Sequence, residues 1–328
     1  MEKTFEGINS NAAGNVNSLI SVTISTDNTI VWYDHHEDGY EEDAKNPSKG
    51  TTEVWGDGDS GNGCAPTVSS CTDANDVLEA GDVIILDTDV VLVKSGSSYT
   101  RKTGVTPMNY DGGDRVQSSF PIAITRGAYP DTPGSLMAGG VEVLDTSKWG
   151  TTFVAPVGQN TFNYNRYNPF QLVQFYVMAG EDNTTVTYPG GEQTINTGKT
   201  IHFFVNEGAE VTSDKPVQVD LLTGDIASTY ALRRFSLLPI EDWSSSYVAP
   251  VGDTKGETKV RLYNPTDSSL SIKVQTRWDD YYMSVSSKSS EYTKVIPDQT
   301  GAKLTASENL LALSLTDTEG NGKSIVPV

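Results

Sequence analysis

The residues able to do chemistry are concentrated in one run after Asp34, HHEDGYEEDAKNPSKGTTEVWGDGDSGNGCAPTVSSCTDAND, which ends at Asp76. Within it, Gly58–Gly61 reads GDSG, the pattern of a serine-protease nucleophile loop. A catalytic serine needs a general base and an orienting acid held by separate parts of a fold. His35 and His36, the only histidines upstream, sit in the same run, and no candidate oxyanion hole follows. The sequence assigns no catalytic residue, and the chain is expected not to be an enzyme.

The same run offers oxygen ligands. Asp57, Asp59 and Asn62, with Asp34, Glu37, Asp38, Glu41, Glu42 and Asp43 before them, are the groups a hard cation such as calcium takes. The EF-hand spacing is not met, because Gly61 occupies a ligand position and no glutamate closes the loop. Calcium is thus the one cofactor with candidate ligands, set against a plain solvated acidic loop. Zinc fits less well: His35 and His36 are adjacent, six residues separate Cys64 from Cys71, and neither spacing is a usual tetrahedral half-site. The two cysteines either close a small disulfide in an oxidising compartment or stay free in a reducing one. Asn183-Thr184-Thr185 fits a glycosylation sequon, but it falls where a tight turn already explains an asparagine.

The elements that must position these residues come from a repeat. GDRVQSSFPIAITRG from Gly113, GAEVTSDKPVQVDLLTGD from Gly208 and GAKLTASENLLALSLTD from Gly301 lie about 95 residues apart. Each reads as a glycine turn, a polar-alternating strand, a small polar turn and an apolar strand. Pro121 and Pro216 stand at the entry to that second strand, where a missing N–H is tolerated. FVAPVG from Phe153 and YVAPVG from Tyr247 also repeat, each followed by an Asn-Pro turn at Asn168 and Asn264. Further repeats are LISVTISTDNTIVWYD and FYVMAGEDNTTVTY, read as hairpins, with IKVQTRWDDYYMSV as the third copy. Helical periodicity is nearly absent.

The expected fold is therefore all-β: tandem β-sandwich-like modules from an internal triplication. The boundaries fall at an N-terminal arm 1–17, module one at 18–148 with a long structureless insert at 34–76, module two at 149–242, module three at 243–317, and a tail at 318–328. Trp149 and Trp243, with Phe153 and Tyr247, are expected to fill the seams between modules. In the tail, Ser324, Ile325, Val326 and Val328 form a short β-prone run behind a glycine hinge, placed to contact another subunit by strand addition.

A chain of 328 residues with a net charge of −20 argues against nucleic acid or an anionic membrane surface as partner. No run is apolar over the roughly 18 residues a bilayer crossing needs. No signal or transit peptide is visible at the start.

The VAPVG repeats, the AGEDNTTVTY stretch and SDKPVQV resemble modules of the IgGFc-binding-protein N-terminal type. Similar modules occur in large bacterial surface proteins with WYDHHEDGYEED-like stretches. The tandem arrangement without an enzyme motif also resembles the diatom pyrenoid shell protein family. That second resemblance implies a non-enzymatic structural protein that self-assembles as a homo-oligomeric sheet or shell. Its place would be the chloroplast stroma, at the periphery of the Rubisco-filled pyrenoid, with itself and Rubisco or other pyrenoid proteins as partners. The first resemblance implies the alternative: a secreted or envelope-anchored β-module that binds glycan or protein, with calcium as its only candidate cofactor.

Overall fold

A computed structural model describes residues 16–35, 38–87, 92–95, 98–101, 113–130, 140–161, 170, 172–224, 233–249 and 257–317. Regular structure among them is β-strand, with 3-10 turns only at Ser60–Asn62, Thr146–Lys148 and Ile240–Asp242. No helix among the described residues is long and apolar enough to cross a membrane. The chain divides into two compact units, Asn17–Ala128 with Val141–Val143, and a second that holds Leu144–Val328.

The first unit contains β1 (Val16–Ile24), β2 (Val31–Asp34), β3 (Glu53–Trp55), β4 (Val83–Asp87), β5 (Leu92–Ser95), β6 (Ser98–Arg101), β7 (Arg115–Ser118), β8 (Ile122–Pro130) and β9 (Gly140–Glu142). One sheet runs β4-β1-β8-β9, another β3-β2-β7, and β5 pairs with β6. Val22, Ile24, Val31, Tyr33, Trp55, Ile84 and Leu86 form its core. These are alternate, inward positions of the strands, so each strand buries one face.

The second unit begins with β10 (Gly150–Val154), β11 (Leu172–Ala179), β12 (Thr184–Tyr188), β13 (Gly191–Ile195), β14 (Thr200–Phe204), β15 (Glu210–Gly224) and β16 (Arg233–Leu237). It continues with β17 (Ser244–Ala249), β18 (Glu257–Asn264), β19 (Leu270–Thr276), β20 (Asp280–Val285), β21 (Ser289–Tyr292) and β22 (Ala302–Asp317). The order β4-β1-β8-β9 returns as β14-β11-β15-β16, and as β21-β18-β22 without its last strand. Likewise β3-β2-β7 returns as β13-β12-β15 and β20-β19-β22. The fold is all-β, built of tandem β modules.

Two local expectations change. The repeated strand–turn–strand is one unbroken strand in β15 and β22, and is interrupted only between β7 and β8, at Ser119–Pro121. The unbroken strand serves both layers: β15 pairs with β12 near Thr212 and with β11 from Val217 onward. The predicted hairpins at Asp27-Asn28 and Asp182-Asn183 are also arches. β1 does not pair with β2, nor β11 with β12: β1 and β2 go to different sheets, and β11 and β12 pair with different stretches of β15. Both arms face the same core, so alternation alone reads the same either way. IKVQTRWDDYYMSV is a true hairpin, β19 to β20, and therefore matches β12–β13 and not the arch.

The arches share one construction. Asn28 and Asn183 take left-handed φ of 58° and 54°, which asparagine tolerates better than most residues. Thr29 and Thr184 each donate a hydroxyl three residues back at 2.6 Å. Asp27 and Asp182 accept the N–H of Ala80 and Thr197, tying each arch to the next glycine turn. The third arch uses Asn264 instead, fully buried, whose amide donates to the carbonyls of Ser268, Val285 and Ser286.

Gly158, which ends FVAPVG, is fixed by close approach. A Cβ there would stand 1.9 Å from Glu207 N, while Gly208 N donates to Ala155 O and Ala155 N to Ala209 O.

Candidate functional site

The insert after Asp34 is folded, with β3 inside it. What folds it is its acidic side chains, turned inward. Asp34, at 1 % exposure, accepts the N–H of Glu41 at 3.0 Å and the hydroxyl of Thr52 at 3.2 Å. Glu41 accepts the N–H groups of Ser48 and Lys49 and the Ser48 hydroxyl. Burial pushes its carboxyl up, but those hydrogen bonds outweigh it and hold the group below the usual carboxylate range. Asp76, also at 1 %, collects the N–H groups of Gly56, Asp57 and Gly58 at 2.6, 3.1 and 3.0 Å. Gly56 and Gly58 have φ of 88° and 80°, the left-handed region glycine enters freely, and so turn successive N–H groups onto one carboxylate. Burial, with Asp57 beside it, pushes Asp76 above its ordinary value despite those donors.

His35 sits between two carboxylates. Its Nδ1 lies 3.3 Å from Asp114 and its Nε2 3.6 Å from Glu53. Hydrogen bonding to Asp114, then to Glu53, raises it to about 10, with burial opposing. Tyr33 stacks on Trp55 at 5.1 Å and donates its hydroxyl to Asp114. Trp55 Nε1 donates to Glu53 at 3.0 Å, so His35, Tyr33, Trp55, Glu53 and Asp114 form one network. A protonated imidazole held by two carboxylates is an ion pair and not a general base. Ser60 of the GDSG run donates to Asp73 at 2.7 Å and makes no contact with His35. The geometry contains no nucleophile–base pair there.

Asp57 accepts from Asp59 N at 3.0 Å and Asn62 Nδ2 at 2.8 Å, and Asp59 accepts from Gly61 N at 2.9 Å. Asn62 Oδ1 is buried without a hydrogen-bond partner. Among the described residues no group of three or more His, Cys, Asp or Glu side chains is arranged to hold a metal ion. Cys64 and Cys71 are joined as a disulfide with Cα atoms 5.7 Å apart, which removes both thiols as ligands.

Of the aromatic residues expected at seams, Phe153 and Trp243 are buried at 1 % and 5 %, in one cluster with Tyr263 of β18. Trp243 meets Tyr263 edge-on at 6.1 Å. Tyr247 is half-buried against the other cluster and donates to Leu310 O at 2.8 Å. Trp149 is half-buried, close enough to Gly180 that a Cβ there would meet its ring at 2.9 Å. Sequence reading missed the polar clamp between the two sandwiches of this unit. Arg261, buried, reaches Ser290 at 2.8 Å and Glu207 at 3.9 Å and lies over Tyr292 at 4.6 Å. Burial, then the Glu207 charge, pushes the Tyr263 hydroxyl up to about 12. Ser324, Ile325, Val326 and Val328 lie outside the described residues, as do His36, Glu37, Asn168 and Pro169.

One surface was also missed. The β17-β22-β19-β20 layer buries one face and presents the other to solvent, where Val248 and Tyr282 are each 71 % exposed; Trp278, in the turn before β20, is 68 % exposed. Lys273 and Lys303 share the outer positions of that layer: Tyr282 pairs across to Lys273, and Val248 to Lys303. Lys273 lies 3.4 Å from Asp280, while Lys303 makes no ion pair among the described residues. Alternation marks these positions as outward. Nothing in it marks them as uncovered.

No curated protein and no solved structure matches this chain. A family model described as IgGFc binding protein matches residues 112–314, more than half of the sequence. By that match, the chain belongs to the IgGFc binding protein family.

Proposed function

We propose that this chain is a non-catalytic β-module protein that works by binding another protein in a secreted or envelope-anchored setting. The family match carries the reading, since the family is described by binding and by no reaction. The Cys64–Cys71 disulfide fits an oxidising compartment. Val248 and Tyr282, exposed on one face of one layer, supply apolar side chains that a binding surface could use.

The binding test is direct. The full chain on a sensor surface is exposed to IgG Fc, with Fab as control. Saturable Fc binding supports the reading; equal response to both, or none, counts against it. A glycan array separates the carbohydrate form of the same proposal.

The shell reading rests on the resemblance to pyrenoid shell proteins and on the tail run Ser324–Val328, and the family match adds nothing to it. Sedimentation and electron microscopy of the purified chain at micromolar concentration test it. Sheets or tubes would revive self-assembly, with chloroplast and Rubisco as its setting, and a persistent monomer would end it.

A further inference from the structure

The three modules carry one sheet position in three chemical forms. Val116, Val211 and Leu304 each follow their repeat glycine by three residues, and Gln117, Thr212 and Thr305 come next. Across from Gln117 stands Trp32, and beyond it Val54. Across from Thr212 stands Thr187, and beyond it Glu192. Across from Thr305 stands Lys273, and beyond it Tyr282. Val54 and Tyr282 are therefore the same place in the fold.

Their fates differ. Val54 is 5 % exposed and Trp32 9 %, because Ala44 packs on them and Lys45 Nζ sits 5.7 Å from the Trp32 ring. The cover is Ala44 with Lys45, carried by the acidic stretch Glu41-Glu42-Asp43-Ala44-Lys45 of the insert that only the first module has; the Glu41 and Asp43 carboxylates bond within that insert. Tyr282 has no such cover and is 71 % exposed.

We propose that the outer face of β17-β22-β19-β20 binds an acidic peptide segment of a partner protein, in the place where the first module folds its own acidic segment. The charge fits. Residues 1–148 hold 23 acidic and 9 basic side chains, net −14, while residues 243–317 hold 9 and 8, net −1. The least acidic module thus carries the exposed face, with Lys303, which makes no ion pair among the described residues, and Lys273 beside it between Val248 and Tyr282. The size fits as well. Four strands of about five residues give a face of roughly 300 Å². A stable interface between folded proteins needs about 800 Å² on each side, so a second copy docked here alone would be too weakly held. A loop or peptide is the right scale. This inference rests on the protein-binding reading and names the partner's chemistry.

The probe is a dye-labelled peptide with the sequence of Tyr40–Gly50, YEEDAKNPSKG, titrated against the full chain by fluorescence anisotropy. Binding is expected at low salt, to weaken as salt rises, and to fall about tenfold in Tyr282→Ser and in Lys303→Glu, the scale of losing one interface anchor. Lys199→Glu, an exposed change of the same sign in the preceding sandwich, is expected to keep it. A peptide with Glu41, Glu42 and Asp43 replaced by alanine is expected not to bind. No binding, binding indifferent to both face variants, or equal binding of the alanine peptide overturns the proposal. Sedimentation that finds a dimer abolished by Tyr282→Ser also overturns it, in favour of a second copy as occupant. Titrating IgG Fc against the same variants keeps the two ideas apart. Fc bound without the peptide overturns this inference alone, and peptide bound without Fc supports the face while overturning the Fc reading.

Discussion

Trp149 and Trp243 stand in the same place twice: each indole N–H donates to a carbonyl five residues upstream, Leu144 at 3.3 Å and Leu238 at 3.0 Å. Each follows a single 3-10 turn onto which its own backbone N–H closes, at Thr146 and Ile240. After each comes a register shift against the long strand, between Gly150 and Thr152 and between Ser244 and Ser246. Turn, tryptophan and bulge form one device that starts a sandwich. The indole fills the corner, and its hydrogen bond removes the cost of burying the N–H.

The two copies should respond unequally to truncation. Trp243, at 5 % exposure, lies in the cluster that includes residues of both sandwiches in its unit. Trp243→Ala is expected to cost about 3–5 kcal/mol. Half-buried Trp149→Ala should cost less. Guanidinium unfolding of both variants measures the order, and an unchanged midpoint for Trp243→Ala would show that the indole does not hold that cluster together.

Gly158→Ala is expected to be worse than either. The added methyl meets backbone at Glu207 N and Asn206 C, at 1.9 and 2.1 Å, and backbone cannot swing aside as a side chain can. The variant should express as insoluble material. If it refolds with a wild-type melting curve, the close approach of these strands is wrong.

The pH dependence of the first module should have a definite sign. His35 is raised from 6.5 to about 10 by Asp114 and Glu53, so the folded state binds its proton more tightly than the unfolded state. The stabilisation is complete below about pH 6.5 and is lost as pH rises toward 10. Melting temperature should therefore fall across that window, and His35→Gln should flatten the slope while lowering stability at pH 6. A slope that survives the substitution assigns the effect to other groups.

Calcium is expected to leave melting unchanged, because Asp57 and Asp59 already accept hydrogen bonds from Asp59 N, Asn62 Nδ2 and Gly61 N. Scanning calorimetry with millimolar calcium and then chelator checks this. A rise reversed by chelator would show a cation bound in the native state, with Asn62 Oδ1 as the waiting ligand.

The sequence by itself determined the class of fold and its repetition. Alternating β-branched and aromatic residues admit little else, and three copies of one glycine-led stretch imply one module written three times. It also determined where the chain turns, since Asn28 and Asn183 need only their own left-handed backbone to be understood, but it read those turns as hairpins where the structure makes arches. Only the tertiary structure decided which sheet each arm joins, because alternation reports the face a residue takes and not the layer its strand enters. It decided too that Asp34, Glu41 and Asp76 are scaffold. A carboxylate has the same sequence signal whether water or three backbone N–H groups satisfy it. Val54 and Tyr282 show the same limit on the surface. Their strand position is one, and what separates a buried residue from an exposed one is a segment folded back from elsewhere in the chain.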